Sequence, residues 1–191
     1  MTLLTDSEIK HRLRARDGLK VEPVDLEEQL QPVSLDIRLG TEFREFKHNS
    51  ESPSIIHFDD DIEEEMEKTV ISDDGTFILH PDEFVLSDTK EYFEIPDNIV
   101  GEVTGRSSIG RLGVTVHQTA GLFDPGFCGK GVLELKNVSE RPVALEPGMR
   151  IAQMTFEKLN SSCNEPYNSE RNKYQNQNGA VPSKINQDKQ C

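Results

Sequence analysis

Apolar residues come in short runs along this chain, broken by glycine, proline and acidic turns, and the period of those runs predicts most of the elements. At the start, Thr5-Asp6-Ser7-Glu8 has the Ser/Thr-x-x-Glu form of a capping box. Ile9 and Leu13 then share one helical face and Gly18 stands where a helix would stop, which predicts a short helix near residues 6–16. Val33-Ser34-Leu35-Asp36-Ile37-Arg38-Leu39-Gly40 alternates with period two and reads as a strand. From Thr76 onward the runs are Phe77-Ile78-Leu79, Phe84-Val85-Leu86, Ile95-Pro96-Asp97, Val114-Thr115-Val116 and Val132-Leu133-Glu134-Leu135. Val143-Ala144-Leu145 and Ile151-Ala152-Gln153-Met154-Thr155-Phe156 complete the series. Many short strands with Gly/Pro punctuation predict a mainly β fold, a barrel or jelly roll with one short N-terminal helix.

Two stretches stand outside that rhythm. Residues 59–68 hold a run of Asp and Glu, read as a solvated loop or helix face rather than a metal site. Beyond Leu159 apolar residues thin out while Asn, Gln, Ser and Lys dominate, so residues 1–159 form the domain and 160–191 a tail. Such a tail is expected to be disordered alone and able to order on a ligand.

Composition narrows the function classes. At 191 residues the chain suits one domain plus a tail. No apolar run reaches membrane-spanning length and the first residues lack a charged-then-apolar secretory pattern, so no membrane association is expected. Three cysteines, Cys128, Cys163 and Cys191, have no metal-ligand spacing and suggest a reducing compartment, the cytoplasm. The net charge of -14 disfavours nucleic acid as a partner, since polyanion binding relies on basic patches. A free nucleotide stays open, because a few local cations can override the global field. The acid excess suits a protein in high salt and equally an ordinary acidic soluble one.

Residues 105–134 gather the candidate chemistry. In Arg106-Ser107-Ser108-Ile109-Gly110-Arg111 two guanidiniums flank two hydroxyls, a set suited to phosphate oxygens, although the bare hexapeptide also reads as a surface turn. Ala120-Gly121 offers main-chain groups without bulk. Asp124, before Pro125-Gly126, either serves a turn or bonds a sugar hydroxyl. Glu134 lies in a strand whose alternation puts Leu133 and Leu135 on one face and Val132, Glu134 and Lys136 on the other. It is then either an exposed partner of Lys136 or a half-buried carboxylate able to shuttle a proton. His117 reads as structural rather than catalytic. The His-x-Glu and Pro-Cys-x-x-Cys pair of the zinc deaminases is missing from the sequence.

Taken in order, these pieces resemble the dCTP deaminase family, relatives of dUTPase. The resemblance rests on residues 31–40, 105–111, 117–126 and Val132-Leu133-Glu134, then Pro147-Gly148-Met149 and residues 153–156. In the tail it rests on Pro166-Tyr167 and Lys173-Tyr174-Gln175-Asn176-Gln177. It implies a distorted jelly roll, a homotrimer with sites between subunits, and deamination of dCTP without zinc. Carried over by position, Glu134 is the general base. Ser107 and Arg111 orient the water and the carboxylate, and the Ala120 carbonyl is a further anchor. Arg106, Ser107 and Ser108, on the turn through Ile109, Gly110 and Arg111, meet the phosphates. Mg2+ is held mainly by the triphosphate. Asp124 takes the 3′-hydroxyl, Val132, Leu133 and Glu134 read the base edge, and Gln153 contacts the nucleotide. Tyr167, Lys173 and Gln177 close the tail over it. The resemblance also implies feedback by dTTP through the segment around His117, Gln118 and Thr119.

Members of that family divide by product. Some stop at dUTP, while others also release pyrophosphate and leave dUMP. Deaminase-only bacterial members carry Ala-His-Arg before the Asp and lack the late-strand Gln, whereas this chain has Ala120-Gly121-Leu122 and Gln153, the dUMP-forming pattern. The alternatives are a deaminase that stops at dUTP, a plain dUTPase, or a non-catalytic nucleotide-binding jelly roll.

Overall fold

The computed structural model describes residues 2–15, 18–47, 55–168, 170 and 172–188. Strand β1 (Thr2–Leu3) leads into helix α1 (Asp6–Ala15), where the Glu8 carboxylate accepts from the Thr5 amide at 2.9 Å and from its hydroxyl at 2.8 Å. Gly18 follows at φ 97°, a conformation other residues resist. Next come β2 (Lys20–Glu22), α2 (Leu26–Gln29), β3 (Ser34–Phe46), α3 (Ile62–Glu65), β4 (Met66–Val70) and β5 (Phe77–Leu79). Then follow β6 (Phe84–Glu94), β7 (Ile99–Gly105), α4 (Ser107–Gly110), β8 (Val114–Thr115) and β9 (Leu122–Phe123). The last strands are β10 (Cys128–Asn137), β11 (Val143–Leu145) and β12 (Arg150–Lys158). The predicted mainly β class is what the chain adopts. No helix among the described residues is long and apolar enough to cross a membrane.

The strands pair antiparallel in the order β8-β10-β6-β3-β12-β7-β9, with β1 on β12, β2 on β6 and β4 on β3, while β5 and β11 pair separately. Strand β3 makes the curl. Its first half pairs with β12, through Leu35↔Met154 and Ile37↔Ala152, and its second half pairs with β4 and β6. The register shifts between Leu39 and Phe43, and there a Cβ on Gly40 would lie 2.0 Å from Asp88 Oδ1, so only glycine fits the corner. Inside the curl Leu35, Ile37, Leu39 and Phe43 pack with Phe93, Leu133, Leu135, Met154 and Phe156. Phe43 stacks on Phe77 with ring centroids 4.3 Å apart.

Several local expectations change. Period-two alternation in residues 33–40 implies a polar outer face, yet Ser34 and Asp36 are buried as well. Asp36 sits between two guanidiniums, Arg106 Nε at 3.2 Å and Arg150 Nη1 at 3.2 Å, so its charge is paired rather than solvated. Ile95-Pro96-Asp97 is the turn into β7, whose Gly101 and Gly105 interrupt the apolar pattern. The acidic run is not wholly solvated. Asp61 caps α3 through the Glu63 amide at 3.1 Å, and Ile62 and Met66, four apart, are buried.

The polar tail lies against the sheet. Its Gln177 carbonyl accepts from the Lys130 amide at 3.0 Å and its amide side chain donates to the Lys130 carbonyl at 2.7 Å. Gln175 bridges the Cys128 amide and the Gly126 carbonyl, each at 2.9 Å. Tyr167 ends a ladder of edge-on rings, Phe93–Phe123–Phe127–Tyr167, that runs into the core. A few aromatic anchors and amide side chains bonded to backbone give this polar segment its place.

Candidate active site

Strand β10 sets the geometry. Its burial alternates residue by residue, with Leu133 and Leu135 in the core and Val132, Glu134 and Lys136 on the other face. The register with β6 shifts between Lys130 and Val132. There Gly131 donates to Thr89 Oγ1 at 2.8 Å, and a Cβ on it would come within 2.9 Å of the Phe123 ring. Beyond that bulge Glu134 pairs with Leu86 and Lys136 with Phe84, which puts Phe84 and Leu86 beside Glu134 on one face.

That face is the floor of a cavity of about 370 Å³. One wall is the 120–127 segment, with Ala120, Leu122, Asp124 and Phe127, and another is apolar, from Phe46, Ile62 and Met66. The tail roofs it with Tyr167, Tyr174, Gln177 and residues 181–183. Six of the residues singled out in the sequence therefore share this cavity: Ala120, Asp124, Val132, Glu134, Tyr167 and Gln177.

The Glu134 carboxylate is oriented by main chain. Its Oε2 accepts from the Gln118 amide at 2.7 Å and the Thr119 amide at 3.2 Å, while Oε1 has no hydrogen-bond partner among the described residues. The Gln118 side chain adds bonds to the Glu134 carbonyl, at 3.3 Å, and to Thr115 Oγ1. Of the two readings of Glu134, pairing with Lys136 is not the one the geometry shows. The same segment contains the described chain's buried orphan, His117 Nδ1, which has no partner. Gly121 is confined there too, since a Cβ on it would meet the Val103 carbonyl at 2.8 Å.

Other predicted residues lie elsewhere. None of residues 106–111 lines the cavity. Arg106 is committed to Asp36 and to the Arg150 carbonyl at 2.8 Å, Ile109 is buried, and Ser107, Ser108, Gly110 and Arg111 are exposed. Leu133 presents its side chain to the core, so only its backbone faces a ligand. Gln153 donates to Thr104 Oγ1 at 3.3 Å, and Lys173 pairs with Asp188 at 2.6 Å, and neither lines the cavity. Sequence reasoning missed Phe46, Ile62, Met66, Phe84, Leu86 and Tyr174. Strand register would have given Phe84 and Leu86, and the four-residue spacing of Ile62 and Met66 was legible within the acid run. As for metals, no three His, Cys, Asp or Glu side chains among the described residues converge into a group that could hold an ion.

A family model described as dCTP deaminase-like matches residues 3–159. A protein of Haloarcula marismortui named dCTP deaminase is 48% identical over 98% of this chain and 97% of its own. One from Halobacterium salinarum, named dCTP deaminase, dUMP-forming, is 46% identical over the same shares, 98% and 97%. Among solved structures, the 2′-deoxycytidine 5′-triphosphate deaminase of Agrobacterium tumefaciens aligns with a TM-score of 0.64 at 23% identity. That alignment covers 81% of this chain and 47% of the other, and it speaks to the fold. With its model spanning most of the chain and full-length relatives near half identity, the protein belongs to the dCTP deaminase-like family.

Proposed function

We propose that this protein hydrolyses dCTP at two places, deaminating the base and then releasing pyrophosphate, so that dUMP, ammonia and pyrophosphate are the products. The dUMP would feed thymidylate synthesis in the cytoplasm. The observation that carries the deaminase reading is the Glu134 carboxylate, fixed through one oxygen by the Gln118 and Thr119 amides on the floor of the cavity. Water held at Oε1 loses its proton to Glu134 as its oxygen adds to C4 of cytosine. Glu134 passes that proton to ring N3, then relays the proton of the new C4 hydroxyl to the amine, so that the C4 carbonyl forms as the C4–N bond breaks and ammonia leaves. Backbone of Val132 and Leu133 reads the base edge, the Ala120 carbonyl anchors the water, and Asp124 takes the 3′-hydroxyl. Tyr167 and Gln177 roof the nucleotide and keep out bulk water. Mg2+, carried by the triphosphate, supplies counter-charge. No zinc is used, in keeping with a sequence that lacks both zinc-deaminase motifs.

The phosphate-binding turn needs a second subunit. Ser107, Ser108 and Arg111 are exposed and outside the cavity of their own chain, with the exposed Leu112 beside them. A homotrimer in which this turn enters a neighbour's cavity brings Ser107 and Arg111 to Glu134 and Arg106 to the triphosphate. Feedback by dTTP acts through residues 117–119, the segment that holds Glu134 and carries the orphan His117 nitrogen.

Triphosphate cleavage is supported by Gly121 and Gln153, which match the dUMP-forming pattern, and by the name of the Halobacterium salinarum relative. The plainer name of the Haloarcula marismortui relative favours the second reading, a deaminase releasing dUTP. Incubation with dCTP and Mg2+, followed by separation of products, decides between them. Ammonia, dUMP and pyrophosphate in equal amounts support the first; ammonia with stoichiometric dUTP establishes the second, and no ammonia removes both. A zinc-selective chelator should leave the rate unchanged.

A further inference from the structure

At Glu42 the tail touches the domain outside the cavity, and there charge, rather than an aromatic ring, makes the contact. Gly179 passes over β3 at φ 87°, and a Cβ built on it would lie 2.5 Å from Glu42 Oε2. The next residue, Ala180, is fully buried and donates its amide to Glu42 Oε1 at 3.2 Å. On the domain side the same carboxylate is flanked by Lys68 Nζ at 2.6 Å and Arg44 Nε at 3.3 Å. Arg44 also reaches Glu63, and the Glu42 amide is fixed on Asp88 Oδ1 at 3.0 Å. Glu42 is thus a preorganised acceptor, with two cations compensating its burial and its oxygens turned to the tail. Cavity-roofing residues lie on both sides of the contact, Gln177 before it and residues 181–183 after it.

We propose that Glu42 is a latch for the C-terminal tail, a positioning residue that sets the fraction of molecules whose tail is closed before nucleotide arrives. It rests on the reading that the tail closes over dCTP. A backbone amide bonded to a carboxylate is roughly twice as strong as one bonded to a neutral acceptor, so the contact can hold a polar segment. Releasing it lowers the closed fraction of the free enzyme, and apparent affinity falls by that fraction. At saturation the nucleotide itself holds the tail, so KM takes the loss and kcat is spared.

Gly179→Ala, Glu42→Ala, Glu42→Gln and the Gly179→Ala/Glu42→Ala double variant test this in the full-length protein. Without nucleotide, trypsin should cut after Lys173 and Lys184 much faster in either Ala variant than in the parent. With dCTP, KM should rise about ten-fold with kcat within about two-fold. Glu42→Gln, which keeps an oxygen for the Ala180 amide, should recover part of the loss. Because both Ala changes break one contact, the double variant should be no worse than the worse single. Additive losses, an unchanged tryptic pattern, or a fall in kcat with constant KM would overturn the latch. Should Glu42→Ala fail to fold, Gly179→Ala decides alone, since it lies outside the sheet. The tryptic arm needs no substrate, so it judges the latch even if dCTP turnover by the parent protein fails.

Discussion

Glu134 and Glu45 are both half-buried strand carboxylates, set in different surroundings. At Glu134 two backbone amides hold one oxygen and leave the other to the cavity. Glu134→Gln keeps the shape but cannot accept a proton, so ammonia release should fall by about 10²-fold or more while dCTP still binds, as calorimetry on the folded variant would show. At Glu45 burial, then a hydrogen bond to Glu83 and the charges of Glu83 and Glu67, push the carboxyl up to about 7. An acid raised in the folded state binds more protons folded than unfolded. Its contribution is therefore most favourable below the ordinary 4.5 and is lost as pH rises through about 7. Glu45→Gln should then raise Tm at pH 8 and leave it nearly unchanged at pH 4.5, as a pair of melting curves would show. Neither environment was legible in the sequence. The alternation of β10 placed Glu134 opposite Leu133 and Leu135, but the amides that orient it come from a segment some sixteen positions away. Asp36 misled for the same reason, since Arg106 and Arg150, which permit its burial, are far along the chain.

Among the elements, strands that alternate cleanly were visible and those built on glycine were not. Strand β10 shows its period, whereas β7 hides behind Gly101 and Gly105; at Gly101 a Cβ would press on the Met154 sulfur at 3.2 Å. Close packing, not turn formation, put that glycine there. The tail was legible in its boundary and composition but not in its docking, which depends on pairing to backbone groups of β10 and the 125–128 turn. Gly126 is the crossing point: it has φ 91°, and a Cβ would fall 2.7 Å from the Pro166 ring and 2.8 Å from the Tyr167 carbonyl. Gly126→Ala should lift the roof at Tyr167, so both ammonia and pyrophosphate release should drop together by at least about ten-fold. Loss of one product with retention of the other would show that only one step uses the closed tail.

Seen as a whole molecule, the candidate site is divided: the cavity holds Glu134 and Asp124, and the Arg/Ser turn is exposed outside it. The resemblance implied sites between subunits, but the sequence did not tell which of these residues share one chain's cavity. If a neighbouring subunit supplies the turn, Glu134→Gln and Arg111→Ala proteins, each inactive alone, should regain dCTP turnover when their subunits are exchanged. Mixed trimers then contain sites with both native residues, whereas continued inactivity would place the whole site in one chain. The ladder of rings that ends in Tyr167 has a practical corollary. The chain has no tryptophan and three tyrosines, and two of them, Tyr167 and Tyr174, form part of the cavity roof. Native ultraviolet emission is therefore weighted toward the cavity roof, the part that is proposed to close over dCTP. Stopped-flow tyrosine fluorescence could follow the roof opening and shutting in real time, with no label attached and Tyr92 as the steady background.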